Sequence, residues 1–465
     1  MNLLTASSKS IREAINRSDL RACVVGAGYV GLPLCVILGE KGFRVIGADK
    51  NQEVIEKCRE GQAHFYEKGL NQRLLKLIEQ EVIDFSTDVS AAASCSDVIF
   101  MTVGTPLTTS RTMDTAAVEE AAIAVGKGLS RGKLVILKST ISVGGARNIV
   151  KPMLEEASGL VAERDFGLAF VPERTVEGKG LEELPRLPKI VAGVGQRSRK
   201  AAQRIYRLIG GPMVPVSSLE VAETAKLFDN IYRDVNIALA NELAIACERL
   251  GVDVIEAIRA TNHKYPRTHL LIPGIGVGGS CLTKDPYIFA QSCGDKDGSL
   301  SLIHQARQLN DSMPQHFIKL VKDAFLEMHK ALPGSHVAVL GYAMKDSTGD
   351  TRNTPVKELV EWLKKENAQV RLYDPFVSPE TIQRELGIQS VHSLDDAVQA
   401  ADAICLTTNH KEFSRLDLAQ LKSCCRQPCA IIDGRHVVDP RTALSLGFVF
   451  RGVGRPYQCF KLNSL

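Results

Sequence analysis

No apolar run in this chain reaches the length of a membrane-spanning helix, and the N-terminus has no apolar core followed by a cleavage site. The sequence therefore points to a cytoplasmic protein with no membrane partner. Charge of one sign is missing as well. With 57 Lys and Arg against 53 Asp and Glu, the net charge is +4 over 465 residues, too mild to argue for nucleic acid or an anionic surface. The 12 cysteines lack the spacing of a short secreted disulfide scaffold, which reads as free thiols in a reducing compartment. Cys424, Cys425 and Cys429 cluster, but no histidine or second cysteine pair stands at ligand spacing, so no metal site is expected. What remains is ordinary for a globular protein: 45% hydrophobic, 24% charged, and long enough for two or three domains with substantial cores.

Glycine, by contrast, is concentrated where chemistry would use it. In Ile272-Pro-Gly-Ile-Gly-Val-Gly-Gly-Ser-Cys-Leu-Thr-Lys-Asp-Pro286, four glycines stand between Gly274 and Gly279, and Cys281 follows at once. Such a backbone takes positive φ freely and lies close against a ligand. A thiol is nucleophilic only as thiolate and needs a positive or dipolar neighbourhood. The glycine-rich turn, Lys284 and a helix start at Asp285-Pro286 would supply one. Read alone, the stretch fits equally well a loop with an ordinary buried cysteine and an Asp-Pro helix cap.

Taken in order, residues 1–20 suggest a short surface helix. Arg21–Val25 then reads as a buried strand running into Gly26-Ala-Gly-Tyr-Val-Gly31, with a helix to Lys41 and a second strand at 44–49. This is G-x-G-x-x-G between strand and helix, with an acid, Asp49, about 20 residues on. Gly26 would make the tight turn, Gly28 admit a pyrophosphate and Gly31 pack helix on strand. Asp49 would accept from the adenosine ribose and repel a 2′-phosphate, favouring NAD over NADP, with Lys50 beside it. Further strands at 97–103, 134–138 and 168–171 end in Gly104-Thr105-Pro106, Ser139-Thr140 and Pro172-Glu173-Arg174, polar ends of the kind that gather ligands in open α/β sheets. Leu219–Leu250 has helical spacing without an internal Gly or Pro. It places Lys226 and Asn230 four apart on one face, where they could equally be solvated surface residues. Helical pattern returns from Leu300 to Leu332. A second α/β half follows, with strands at 336–340, 369–374, 403–407 and 430–433. It has no G-x-G-x-x-G, so no second dinucleotide is expected, but it offers Lys345, Arg352 and Arg435 at loop positions suited to phosphates.

Together these motifs, in this order from about residue 20 to 455, resemble the nucleotide-sugar 6-dehydrogenases, the UDP-glucose/GDP-mannose dehydrogenase family. The resemblance implies an α/β fold of two Rossmann-like doubly wound domains joined by a long central helix. Its expected parts are an N-terminal extension (1–20), an NAD-binding domain (21–215), a central helical dimerisation and catalytic region (216–330) and a C-terminal UDP-sugar domain (331–465). It implies an enzyme that oxidises a sugar CH₂OH to a carboxylate with two NAD in turn, in polysaccharide biosynthesis. Cys281 would carry thiohemiacetal and thioester, Lys226 and Asn230 would stabilise oxyanions, and Thr140, Glu173 and Asp285 would hold or activate water. Gly26, Gly28, Tyr29, Val30, Gly31, Asp49, Lys50, Thr105, Thr140, Glu177, Lys284 and Arg352 match cofactor positions. Glu173, Arg174, Lys226, Asn230, Leu270, Leu271, Ile272, Pro273, Gly274, Gly278 and Lys345 match the substrate site. Arg267 would reach the neighbouring subunit's site in a homodimer. Ser280-Cys281 resembles UDP-glucose members, whereas Pro273-Gly274, Asn262…Pro266-Arg267 and Arg233-Asp-Val-Asn236 resemble the UDP-N-acetylhexosamine (ManNAc or GlcNAc) branch, which the reading prefers. A single-step hydroxyacid dehydrogenase would have no use for the thiol. A non-catalytic nucleotide-sugar sensor would be expected to have lost the thiol or the lysine.

Overall fold

Short aliphatic and β-branched runs bounded by Gly, Asp and Pro form the strands. In the computed structural model, which describes residues 1–295 and 298–461, they build two sheets. The first contains β1 (Arg21–Val25), β2 (Arg44–Ala48), β3 (Ile83–Ser86), β4 (Val98–Met101), β5 (Leu134–Leu137), β6 (Gly167–Phe170), β7 (Lys189–Gly193) and β8 (Met213–Pro215). Their order is β3-β2-β1-β4-β5-β6-β7-β8, parallel throughout except where β6 meets β7. The second contains β9 (His336–Leu340), β10 (Gln369–Tyr373), β11 (Ala403–Leu406), β12 (Ala430–Asp433) and β13 (Val449–Gly452), in the order β10-β9-β11-β12-β13 and all parallel. Both orders are doubly wound, so in each sheet the chain reverses direction beside the first strand, where ligands of open sheets sit.

The chain packs as two units. One is Met1–Asp229 with a return segment starting at Tyr287, and the other is Asn230–Pro286 with the segment starting at Gly298. The helix Leu219–Leu250 passes from the first into the second. It stops at Gly251, whose φ of +70° ends the helical run. The expected helix at 300–332 runs from Ser301 to Glu327 and accommodates Pro314. The N-terminal helix, Ser8–Asn16, is more than a surface element. Ser7 caps it, while Ile11 and Ala14 join Leu3 and Leu20 in the core beneath β1 and β2. Among the described residues no helix is long and apolar enough to cross a membrane.

Candidate functional site

In the first unit, the turn after β1 is built as its glycines require. Gly26 has φ +97°, and a Cβ on Gly31 would lie 1.7 Å from Gly26 O, so neither position admits a side chain. Nothing lies within 4 Å of a Cβ placed on Gly28, which leaves an open backbone cradle at the start of the helix Gly31–Glu40. Tyr29 stacks on Phe65 with ring centroids 4.3 Å apart, and Val30 is half-buried beside it. Asp49 follows β2. Its Oδ2 accepts from Ala27 N (2.9 Å) and its Oδ1 from Asn51 N (3.0 Å). A carboxylate offers about four acceptor positions, so two remain for a ribose diol. The cradle and the half-satisfied acid fit a dinucleotide. Lys50 is engaged elsewhere, its Nζ 2.6 Å from Glu120 at the surface.

The carboxyl ends of β4 and β5 are tied together. Thr105 Oγ1 donates to Thr140 O (2.8 Å) and Ser139 Oγ to Val103 O (2.7 Å). Glu173, past β6, is buried. Its Oε1 accepts from Arg174 N (2.8 Å) and Thr175 N (2.9 Å), and its Oε2 lies 3.1 Å from Lys138 Nζ. Lys138 is itself fully buried and donates to Tyr206 Oη at 3.1 Å. Burial alone would push the Glu173 carboxyl up. Lys138, then Lys189, then the two backbone donors outweigh it and hold it at about 2. The Lys189 ammonium, 1% exposed and without a hydrogen-bond partner among the described residues, is pushed down to about 8 by burial, against the attraction of Glu173. Arg174 is ion-paired with Asp229 at 2.7 Å, while Glu177 is half-buried. Lys226 is buried on the central helix, one turn before Asn230.

In the second unit, Asn230 and Asp285 are fully buried and joined to each other. Asn230 Nδ2 donates to Asp285 Oδ2, and Asn230 Oδ1 accepts from Arg233. Lys284 Nζ holds the other oxygen of Asp285 at 3.0 Å. The amide is therefore oriented from both ends. Cys281 is exposed in the turn just before this pair, and its carbonyl accepts from Lys284 N (3.2 Å) and Asp285 N (3.0 Å). Gly279 has φ +86°, and a Cβ there would lie 2.4 Å from Met344 Sδ. Its N–H donates to Arg352 O (2.8 Å) and its carbonyl accepts from Asn353 Nδ2 (3.2 Å). Gly278 is as confined, 2.9 Å from Met344 Cβ by the same measure. The thiol turn is thus fastened to the loop Gly341–Pro355 that carries Lys345. Arg352 is held by Asp350 through Nε (2.8 Å) and Nη2 (2.7 Å).

The segment before the glycines is pinned at its start, where Asn262 Nδ2 donates to Leu270 O (2.8 Å) and Asn262 Oδ1 accepts from Leu270 N (2.9 Å). Gly274 N donates to Asn241 Oδ1 (2.9 Å), and Pro273 O lies 3.1 Å from His436 Nε2. Leu271 is half-buried and Ile272 exposed. Arg267 is exposed, its guanidinium 5.8 Å from the ring centre of its own Tyr265. Arg435 bonds Thr407 O (2.9 Å) and stands beside Gly274, 2.9 Å from where a Cβ there would be. Burial brings its guanidinium down to about 10.

Sequence reasoning assigned no role to Lys138, Lys189, Tyr206, Asn241 or the Asp374–His410 pair. For Lys138 a signal existed, a charge closing the apolar run of β5. For Asp374 there was another, an acid after β10 where Asp49 follows β2.

Three models of the UDP-glucose/GDP-mannose dehydrogenase family match the chain: the NAD binding domain over residues 20–209, the central domain over 220–312 and the UDP binding domain over 338–440. UDP-N-acetyl-D-mannosamine dehydrogenase of Pyrococcus horikoshii is 36% identical over 440 residues, covering 94% of this chain and 99% of that one. NDP-N-acetyl-D-galactosaminuronic acid dehydrogenase of Ralstonia nicotianae is 32% identical, covering 86% and 93%. The solved structure of UDP-D-ManNAc dehydrogenase from Pyrococcus horikoshii superposes with a TM-score of 0.86 at 35% identity, covering 94% of this chain and 100% of that one. A Gly-rich cradle with a ribose-ready acid, an exposed cysteine beside a buried Asn–Asp pair, and matches along most of its length all agree, and the chain belongs to the UDP-glucose/GDP-mannose dehydrogenase family of NAD-dependent nucleotide-sugar dehydrogenases.

Proposed function

We propose that this chain oxidises the C6 hydroxymethyl of a UDP-N-acetylhexosamine to the carboxylate. The observation that carries the reading is Cys281, exposed on a turn that Asp285 and the Arg352 carbonyl hold in place. Bound NAD⁺ supplies the hydride acceptor in each of two oxidations. In the first, the alcohol loses a hydride and its hydroxyl proton leaves to water or a base, giving the aldehyde. The Cys281 thiolate then adds to the aldehyde carbon, and the oxyanion takes a proton to give a thiohemiacetal. Loss of the second hydride and of that proton leaves a thioester. Water cleaves it, releasing the uronate and returning the thiol. Lys226 and the Asn230 amide would face the oxyanions, where preorganised donors are worth most. Asp285, already accepting from Asn230 and Lys284, would position rather than deprotonate. Thr140 would help hold the water.

Lys345 and Arg435 would pair with the UDP phosphates, and Leu270–Gly274 with Gly278 would line the sugar nucleotide. Asp49 would hold the adenosine ribose. The names of the relatives and the Arg233-Asp-Val-Asn236 segment favour an N-acetylhexosamine. Ser280 before the thiol is the feature that keeps UDP-glucose in the test.

The same chain would work as a homodimer. Val221, Phe228, Tyr232, Leu239, Leu243 and Leu250 stay 36–73% exposed on the central helix, in steps of seven, four, seven, four and seven residues. At about 100° per residue these steps keep all six on one narrow face of the helix, and a second copy would cover it, with Arg267 reaching across.

The decisive measurement counts NADH per sugar over UDP-GlcNAc, UDP-ManNAc, UDP-GalNAc and UDP-glucose. Two NADH per N-acetylhexosamine are expected. Cys281→Ser should lose steady-state turnover by orders of magnitude while still binding NAD⁺ and UDP-sugar, because a hydroxyl is a far weaker acid than a thiol of pKa about 8.5. Near-normal production of two NADH by that variant would sink the covalent route.

A further inference from the structure

The loop that carries Lys345 hangs from a side chain outside every motif above. His410, four residues past β11, is fully buried between Phe376 (ring centroids 4.9 Å apart) and Phe413 (5.5 Å). Its Nδ1 lies 3.2 Å from Ser347 N, and its Nε2 lies 3.1 Å from Asp374 Oδ2. A backbone N–H can only donate, so Nδ1 is the bare nitrogen and Nε2 carries the proton given to Asp374. Asp374 in turn accepts from Tyr342 N (2.6 Å) and Ala343 N (2.8 Å) at Oδ2, and from Phe376 N (2.8 Å) at Oδ1. The pair thus holds the Gly341–Pro355 loop at its root and again at Ser347. Ser347 sits at φ +56°, a conformation an ordinary residue keeps only when its surroundings impose it. At its far end the same loop bonds Gly279, two residues before the thiol.

We propose that His410 is a positioning residue for nucleotide-sugar binding: through Ser347 it sets the near half of the loop so that Lys345 meets a phosphate, while the bonds to Gly279 at the far end do not depend on it. The inference rests on the reading of Lys345 as a phosphate partner. Two substitutions separate the two ring nitrogens. Asn places an amide oxygen where Nδ1 stands and Gln an amide nitrogen where Nε2 stands, so each keeps one bond, and both lose the ring's packing. His410→Gln, which loses the acceptor for Ser347, should weaken UDP binding by calorimetry and raise KM for the UDP-sugar about tenfold, the scale of one hydrogen bond. His410→Asn should stay within about threefold of wild type. Neither should change NAD⁺ affinity or kcat at saturating sugar.

Lys345→Ala is measured alongside. If it weakens UDP binding while the two His410 variants behave alike, the inference is overturned and the phosphate reading stands. If it leaves UDP binding unchanged, the phosphate reading itself falls. Should the His410 variants not fold, ¹⁵N-histidine spectra of the wild-type chain decide. A neutral Nε2–H ring supports the proposal, and an Nδ1–H ring or an imidazolium at neutral pH rejects it.

Discussion

At the scale of single residues, the site separates groups by charge state. Glu173 is held at about 2, against an ordinary 4.5, so it stays a carboxylate across the working range and suits holding a water better than taking its proton. A carboxyl lowered on folding adds stability that is complete above its unfolded value and is lost as pH falls through the folded one. The stability gap between wild type and Glu173→Gln should therefore be full above pH 4.5 and shrink toward pH 2. Above that window it should be about 3–5 kcal/mol, since Lys138 is left buried without its anion. Denaturant unfolding at stepped pH reads the gap, and a constant gap would reject the pairing. Asp49 carries the second prediction. Replacing it with Ala removes a charged hydrogen bond worth about 1.5–3 kcal/mol, so the NAD⁺ over NADP⁺ preference in kcat/KM should fall roughly 10- to 100-fold. Gly26, Gly31 and Asp49 were legible in the sequence because a tight turn and a ribose impose their own spacing. The partners of Glu173 were not. Lys138, Lys189 and Tyr206 come from three elements, and Lys138 bonds a hydroxyl 68 positions away.

At the scale of elements, the strands with the sharpest bounds were unbroken aliphatic runs. β1, β9 and β12 have the expected bounds, since unbroken aliphatic runs leave no ambiguity. β3 was missed because Ile83-Asp-Phe-Ser86 alternates buried with exposed over four residues, too short to stand out from a helix turn. β7 was missed because it opens on Lys189, a charge that only its tertiary neighbours justify. The central helix was legible from end to end, but not which of its apolar residues face outward. Those residues carry a prediction. Leu239→Asp with Leu243→Asp adds two charges to the proposed seam while touching no residue of the site. It should yield monomers by light scattering at micromolar concentration, with activity reduced to the extent that Arg267 serves the neighbouring site. Unchanged mass would place the dimer contact elsewhere.

At the scale of the whole molecule, the two sheets repeat one device with different outcomes. Each sets an acid after the strand beside its first strand and turns it toward the backbone of the first loop, Asp49 to Ala27 and Asp374 to Tyr342 and Ala343. Asp49 spends two of its roughly four acceptor positions. Asp374 takes four bonds, three of them crowded on Oδ2, from three backbone donors and His410. A sequence shows both acids but not how many bonds each accepts, so the expectation of no second dinucleotide rested on the missing glycines alone. If this is the one seat for a dinucleotide, the proposed oxidation, which needs two hydride acceptors, becomes a problem of waiting. The seat must empty and refill between steps while a half-oxidised sugar stays behind. An aldehyde left free for that interval could diffuse away or be scavenged. The proposed covalent hold on Cys281 would turn the pause into commitment, so that each sugar that starts the reaction would complete it.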